Sequence, residues 1–170
     1  MKQALNILAT LLMFFSSTIL IAQKDTLKLQ REARSLLRTG NDLYGKEKYA
    51  DASIAYRKAL DKNSKYEKAT YNYGNALYQD KKYKEAIEQY KLTAENSKDK
   101  FHQAAAYHNI GNAMMDQKQY QGAVDAYKNS LRRNPGDDET RYNLAVAQKL
   151  LEKEKPVSYT HLTLPTILLV

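Results

Sequence analysis

The chain has 170 residues, enough for one domain of ordinary size and a short appendage. It carries 27 Lys and Arg against 19 Asp and Glu, a formal excess of +8, with 43% apolar residues, 14 Tyr, no Trp and no Cys. The lack of cysteine excludes a disulfide framework, a thiol nucleophile, an iron–sulfur cluster and Cys-ligated zinc, and with only three Pro and six Gly the chain reads as helical.

Residues 1–22 stand apart in composition. Met1-Lys2 gives a small positive start, and Leu5 to Ala22 is uncharged and rich in Leu, Ile, Phe and Met. This is the pattern of a secretory signal peptide, cut after Ala22. Leu20 fits the small-residue cleavage rule less well than alanine would, so an uncleaved N-terminal anchor of about 18 residues is the alternative. Either reading makes the protein exported and periplasmic, and with no cysteine near the cut it is not a lipoprotein. Residues 23–32 form an N-terminal extension that either lengthens the first helix or stays mobile.

From residue 33 the sequence repeats itself. Gly40-Asn41, Gly74-Asn75 and Gly111-Asn112 are followed at fixed offsets by Tyr49, Tyr83 and Tyr120, by Ala52, Ala86 and Ala123, and by Tyr56, Tyr90 and Tyr127. The periodicity predicts helices over 33–46, 49–62, 67–80, 83–97, 101–117, 120–133 and 137–153. Glycine and alanine leave room where paired helices approach closely, and the tyrosines fill the space between them. The second and third units are offset by three extra residues, predicted to lengthen the turn around Glu95 to Phe101. Pro135 ends the third unit. Ser64 and Lys98 hold that place in the first two, which predicts looser turns there. The last helix has acidic residues in its first turn and lysines at its end, in keeping with the helix dipole, and Tyr142, Leu144, Ala145 and Ala147 form its apolar face. With no partner helix after it, it caps the stack over 137–156.

Residues 157–170, VSYTHLTLPTILLV, carry no Asp, Glu, Lys or Arg. An ordinary reading of this tail is a terminal strand, but the string SYTHLTLPT is similar to a translated sequencing adapter, so the preferred reading is an artefactual tail with the natural chain continuing past Pro156.

The repeating Gly, Tyr, Ala and Tyr positions resemble the tetratricopeptide repeat (TPR), a helix-turn-helix unit of about 34 residues. The resemblance implies an all-α right-handed superhelix of three and a half repeats and seven helices, with repeats at 33–66, 67–100 and 101–136. One helix pair cannot bury its own apolar face, so three repeats and a cap are near the minimum that stands alone.

Catalysis finds little to work with. The histidines are His102, His108 and His161, and there is no His-Glu-x-x-His, phosphate-cradling glycine loop or nucleophile elbow. The sequence therefore predicts no enzyme, no cofactor and no metal. In the family the inner face of the superhelix is lined from the first helix of each repeat. Here that implies Arg34, Leu37, Arg38, Asn41 and Tyr44, then Lys68, Tyr71, Asn72, Asn75 and Tyr78. Ala105, His108, Asn109, Asn112 and Met115 follow, and finally Glu139, Tyr142 and Asn143. An amide is both donor and acceptor, so the recurring asparagines could hold an extended peptide by its backbone. Arg34, Arg38 and Lys68 would add specificity at one end, and Tyr, Leu and Met pockets elsewhere. Asn41, Asn75 and Asn112 fit a structural role as well as a ligand role, whereas Asn72 and Asn109 lean towards ligand. The family's carboxylate clamp is matched only in part: Asn41 and Asn72 fit it, but Leu37 and Ala105 stand where it has lysine and Asn109 where it has arginine, so such a clamp is not expected.

The order of signal, Tyr-rich repeats and NPGDDETRYNLAVAQKLLEKEK resembles the TPR components of bacterial aerotolerance (Bat-type) operons. That resemblance implies a scaffold of the cell envelope, with membrane-anchored proteins bearing von Willebrand A-type domains as partners. A self-assembling structural protein, or one in peripheral contact with the membrane surface through its basic N-terminal half, is the alternative. Nucleic acid is not expected as a partner, since the basic residues are diluted with glutamate.

Overall fold

The structure, a computed structural model, describes residues 2–154, with side chains described from Gln23 onward. The signal or anchor reading of 1–22 and the adapter reading of 157–170 thus fall outside the described side chains. Among the described residues the fold is entirely helical: α1 (Lys2–Gly45), α2 (Tyr49–Lys62), α3 (Glu67–Gln79), α4 (Tyr83–Asn96), α5 (Lys100–Asp116), α6 (Tyr120–Arg133) and α7 (Asp138–Glu154). Each helix packs on the next, and α1 also touches α3. The stretch 23–32 is helical within α1, where Glu32 pairs with Lys62 of α2 at 3.0 Å.

Burial follows the repeat. Ala52, Ala86 and Ala123 are fully buried, and Tyr56, Tyr90 and Tyr127 nearly so, giving three linked core clusters along the stack. Helix α7 closes the last cluster with Ala147, Leu144 and Leu151 against Val124 and Tyr127. Its apolar face is therefore narrower than the sequence implied, because Tyr142 and Ala145 are exposed.

Two turn expectations change. The three extra residues do not lengthen the turn between α4 and α5, which has only 97–99 between helices. They extend the start of α5, a helix of 17 residues against 13 in α3. Asp99 makes this possible as N-cap, accepting from the Phe101 backbone N–H at 2.9 Å, while the Gln103 amide donates to the Ser97 carbonyl at 2.6 Å. The Ser64 turn is no looser in construction than the Pro135 turn. Each spans four residues and opens with the same bond, from Asn63 to the Ala59 carbonyl and from Asn134 to the Ser130 carbonyl.

Within each repeat the turn is tight and left-handed. Glu47, Lys81 and Lys118 have φ of 58°, 60° and 58°. Each donates its N–H to the carbonyl three residues back, and the next residue donates to the carbonyl five back, as in Lys82 to Leu77 at 2.8 Å. This closure usually employs glycine, because a Cβ in that region costs about 1–2 kcal/mol. Lys81→Gly is therefore expected to raise unfolding free energy by about 0.5–1 kcal/mol after glycine's entropic cost is subtracted. Lys81→Ala should bring no gain. Urea midpoints of the two variants test this, and a lower midpoint for the glycine variant would contradict it.

Candidate functional site

Every repeat brings the same three side chains together across its two helices. A methyl group built on Gly40, Gly74 or Gly111 would lie 2.6, 2.9 or 2.6 Å from Cδ1 of Tyr56, Tyr90 or Tyr127. Only glycine lets the ring come so close. The ring's hydroxyl then reaches the neighbouring asparagine of the first helix. Tyr56 donates to Asn41 Oδ1 at 2.9 Å, Tyr90 to Asn75 Oδ1 at 2.9 Å and Tyr127 to Asn112 Oδ1 at 2.7 Å.

The same oxygens also accept from the following repeat. Asn72 Nδ2 donates to Asn41 at 3.0 Å, Asn109 to Asn75 at 3.2 Å and Asn143 to Asn112 at 3.4 Å. Asn109 is also within 3.0 Å of the Tyr71 hydroxyl. The asparagines thus tie first helix, second helix and next first helix together. This is the structural role left open for Asn41, Asn75 and Asn112, and it extends to Asn72 and Asn109, for which the sequence favoured a ligand role. Half of each amide remains: Nδ2 of Asn41, Asn75 and Asn112, and Oδ1 of Asn72, Asn109 and Asn143, form none of the described hydrogen bonds.

These free halves border a row of three cavities. The central one, about 330 Å³, is lined by Tyr44, Tyr71, Asn75, Tyr78, Gln79, Tyr90, His108, Asn109, Asn112 and Glu139. A cavity of about 260 Å³ adjoins it through Tyr44 and Asn75, bounded also by Asn41, Gly45, Tyr56 and Asn72. On the other side one of about 190 Å³ shares Tyr78 and Asn112 and adds Met115, Asp116, Tyr127, Asn143 and Val146. Together they form a trough along α1, α3, α5 and α7.

Twelve of the eighteen inner-face residues read from the sequence line this trough: Asn41, Tyr44, Tyr71, Asn72, Asn75, Tyr78, His108, Asn109, Asn112, Met115, Glu139 and Asn143. The other six do not. Arg34, Arg38 and Lys68 are exposed beyond the cavities, and Tyr142 is 70% exposed. Leu37, placed on the inner face by the resemblance, is buried in the core with Tyr56 and Ala52, and Ala105 is half-buried outside the cavities. Gln79 and Asp116 were missed. Both directly follow the twelfth first-helix position, as does Gly45, so extending the inner face by one residue would have found them.

His108 sits on a built seat. Thr140, fully buried, donates its hydroxyl to Asp137 Oδ2 at 2.7 Å, so the 2.6 Å contact between Thr140 Oγ1 and His108 Nδ1 requires the proton on Nδ1. Nε2 then stands 3.6 Å from Glu139 Oε1 at the trough. Burial pushes the Asp137 carboxyl up, but hydrogen bonds from the Thr140 side chain and backbone, with His108 nearby, hold it below the usual range. Across the trough Tyr78 donates to Asp116 Oδ2 at 2.7 Å, and burial followed by that bond raises the Tyr78 phenol above its ordinary range. Among the described residues no group of three or more His, Asp or Glu could hold a metal ion.

The buried phenols make alkaline stability predictable. Burial pushes Tyr56 up to about 12 from 10.0, and raises Tyr90 and Tyr127 as well. Between those values the folded chain keeps protons that the unfolded chain releases. Stability is therefore complete below pH 10 and falls as pH rises towards 12. Tyrosinate absorbance of the buried three should rise only together with loss of helical circular dichroism. Ionisation of Tyr56, Tyr90 and Tyr127 with the helices intact would contradict this.

Family models described as tetratricopeptide repeat match residues 37–100 and 104–137, together more than half of the chain. No curated protein matches the chain. Among solved structures, the first TPR of Spaghetti (RPAP3) bound to the HSP90 peptide SRMEEVD is 22% identical, covers 72% of this chain and 95% of its own, and superposes with a TM-score of 0.66. The Sgt2 TPR domain from Aspergillus fumigatus is 23% identical, with 72% and 80% covered and a TM-score of 0.63. The second TPR domain of human RPAP3, in complex with the HSP70 peptide SGPTIEEVD, is 16% identical, with 72% and 98% covered and a TM-score of 0.62. At these identities the likeness establishes the fold.

Proposed function

This chain belongs to the tetratricopeptide repeat family, and from that premise we propose that it is a non-enzymatic interaction module that holds an extended segment of a partner protein in its trough. The observation that carries this reading is the row of adjoining cavities, bordered by amide donors and acceptors that the repeat network leaves free. Two structures of the same fold were determined with peptides, SRMEEVD and SGPTIEEVD, which supports a peptide as occupant.

The finer reading places the module in the bacterial cell envelope as a Bat-type scaffold, exported through residues 1–22, with von Willebrand A-type membrane proteins as partners. It rests on the composition of 1–22 and on the order of segments along the chain. Cell fractionation and sequencing of the mature N-terminus test it. A start at Gln23 in the periplasmic fraction supports it, and a full-length cytoplasmic chain ends it.

The groove itself is tested by selecting peptides from a random library on the full chain and measuring their affinity for two variants. Gln79 is exposed and lines the central cavity beside the Tyr44 hydroxyl, so Gln79→Trp should plug the trough and weaken binding at least tenfold. Leu92→Trp, at an exposed site outside the trough, should leave binding unchanged. Equal effects from both variants would refute the groove reading.

A further inference from the structure

The charge of the trough is opposite to that of the chain. Although 27 of 170 residues are Lys or Arg, none lines any of the three cavities, while Asp116 and Glu139 both do. Tyr78 occupies one oxygen of Asp116, leaving Oδ1 free of the described hydrogen bonds, and the Glu139 side chain is 76% exposed beside His108. Tyr44, Tyr71 and Tyr78 wall the central cavity with Glu139, and Tyr78 also walls the adjoining cavity that Asp116 lines. Aromatic faces with carboxylates beside them attract a cation through the ring quadrupole and through charge-assisted hydrogen bonds. An acidic side chain there would meet two carboxylates and no lysine or arginine.

We propose that the part of the trough between α3, α5 and α7 selects a lysine or arginine side chain of the bound segment, so that the partner is a basic extended peptide. This rests on the groove reading and specifies its occupant. The net charge of the chain does not oppose it. At physiological ionic strength screening acts over about 8 Å, so the surface arginines and lysines beyond the cavities count for less than the carboxylates in contact with the peptide. The free acceptors of Asn109 and Asn143 are also suited to the N–H groups of the peptide backbone and of a cationic side chain.

Peptides selected on the full chain provide the test. They are expected to be enriched in Lys or Arg at one position, and replacing that residue by Gln should weaken binding about tenfold. Asp116→Asn with Glu139→Gln should weaken the basic peptide by a similar factor while leaving the Gln peptide unaffected, with an unchanged melting temperature. The amide oxygen that replaces the Asp116 carboxylate would still accept from Tyr78, and Glu139 is largely exposed, so folding should be preserved. Peptides that Gln79→Trp displaces but that are neutral or acidic would overturn the proposal and leave the groove reading standing. Basic peptides whose affinity ignores the carboxylate variants would overturn it too. If no selected peptide responds to Gln79→Trp, the groove reading itself falls.

Discussion

Tyr90→Ala is expected to lower the unfolding free energy by about 3–5 kcal/mol, the range for removing a large buried aromatic side chain. Tyr90 is 1% exposed at the centre of the middle core cluster, its ring 5.8 Å from that of Tyr71 and in contact with Gly74. Its hydroxyl also supplies one of the two hydrogen bonds that Asn75 Oδ1 accepts. A domain of this size is stable by about 5–15 kcal/mol in all, so one substitution removes a large share. In a stack where each unit touches only its neighbours, a lesion in the middle repeat also uncouples the ends. The urea transition should therefore broaden as well as shift. Tyr90→Phe, which keeps the ring and loses only the hydroxyl, should cost about 1 kcal/mol. A Tyr90→Ala variant within about 1 kcal/mol of the parent, the effect of an ordinary substitution, would mean the ring is not what joins the repeats.

The second large effect changes sign with its background. In an open helix Gly→Ala gains about 1 kcal/mol from helix propensity. At Gly74 the new methyl would lie 2.8 Å from Tyr90 Cε1, and overpacking of that kind costs about 1–3 kcal/mol. Gly74→Ala alone should therefore be destabilising on balance. Placed in Tyr90→Ala, where the obstructing ring is gone, the same substitution should stabilise by about 1 kcal/mol. The double-mutant cycle should then give a coupling equal to the overpacking cost, about 1–3 kcal/mol. Gly45 is the control, because nothing lies within 4 Å of a methyl group there. An equal effect of Gly74→Ala in both backgrounds would separate the glycine from the tyrosine and remove the explanation for the repeat.

The groove residues show how far a repeat pattern can be read. Tyr71, Tyr78 and His108 line the trough because position on a first helix fixes the direction of a side chain, and that position was legible from the glycine register. Asn72 and Asn109 were legible in place but not in duty. Whether an amide faces a ligand or a neighbouring amide depends on a contact 31 or 34 residues away. An alanine substitution at Asn109 would therefore disturb stacking and groove together, whereas Gln79 and Glu139 report on the groove with less interference.

The sequence by itself determined the helices, their pairing and the close approach at Gly40, Gly74 and Gly111. These follow from local spacing and from side-chain volume, which are properties of a short stretch of chain. Only the tertiary structure decided that Asp99 would turn three extra residues into helix, that Thr140 would fix the tautomer of His108, and that a basic chain would line its trough with carboxylates. Each of those depends on which groups the stacking brings within hydrogen-bonding distance across repeats, and no periodicity along the chain encodes such distances.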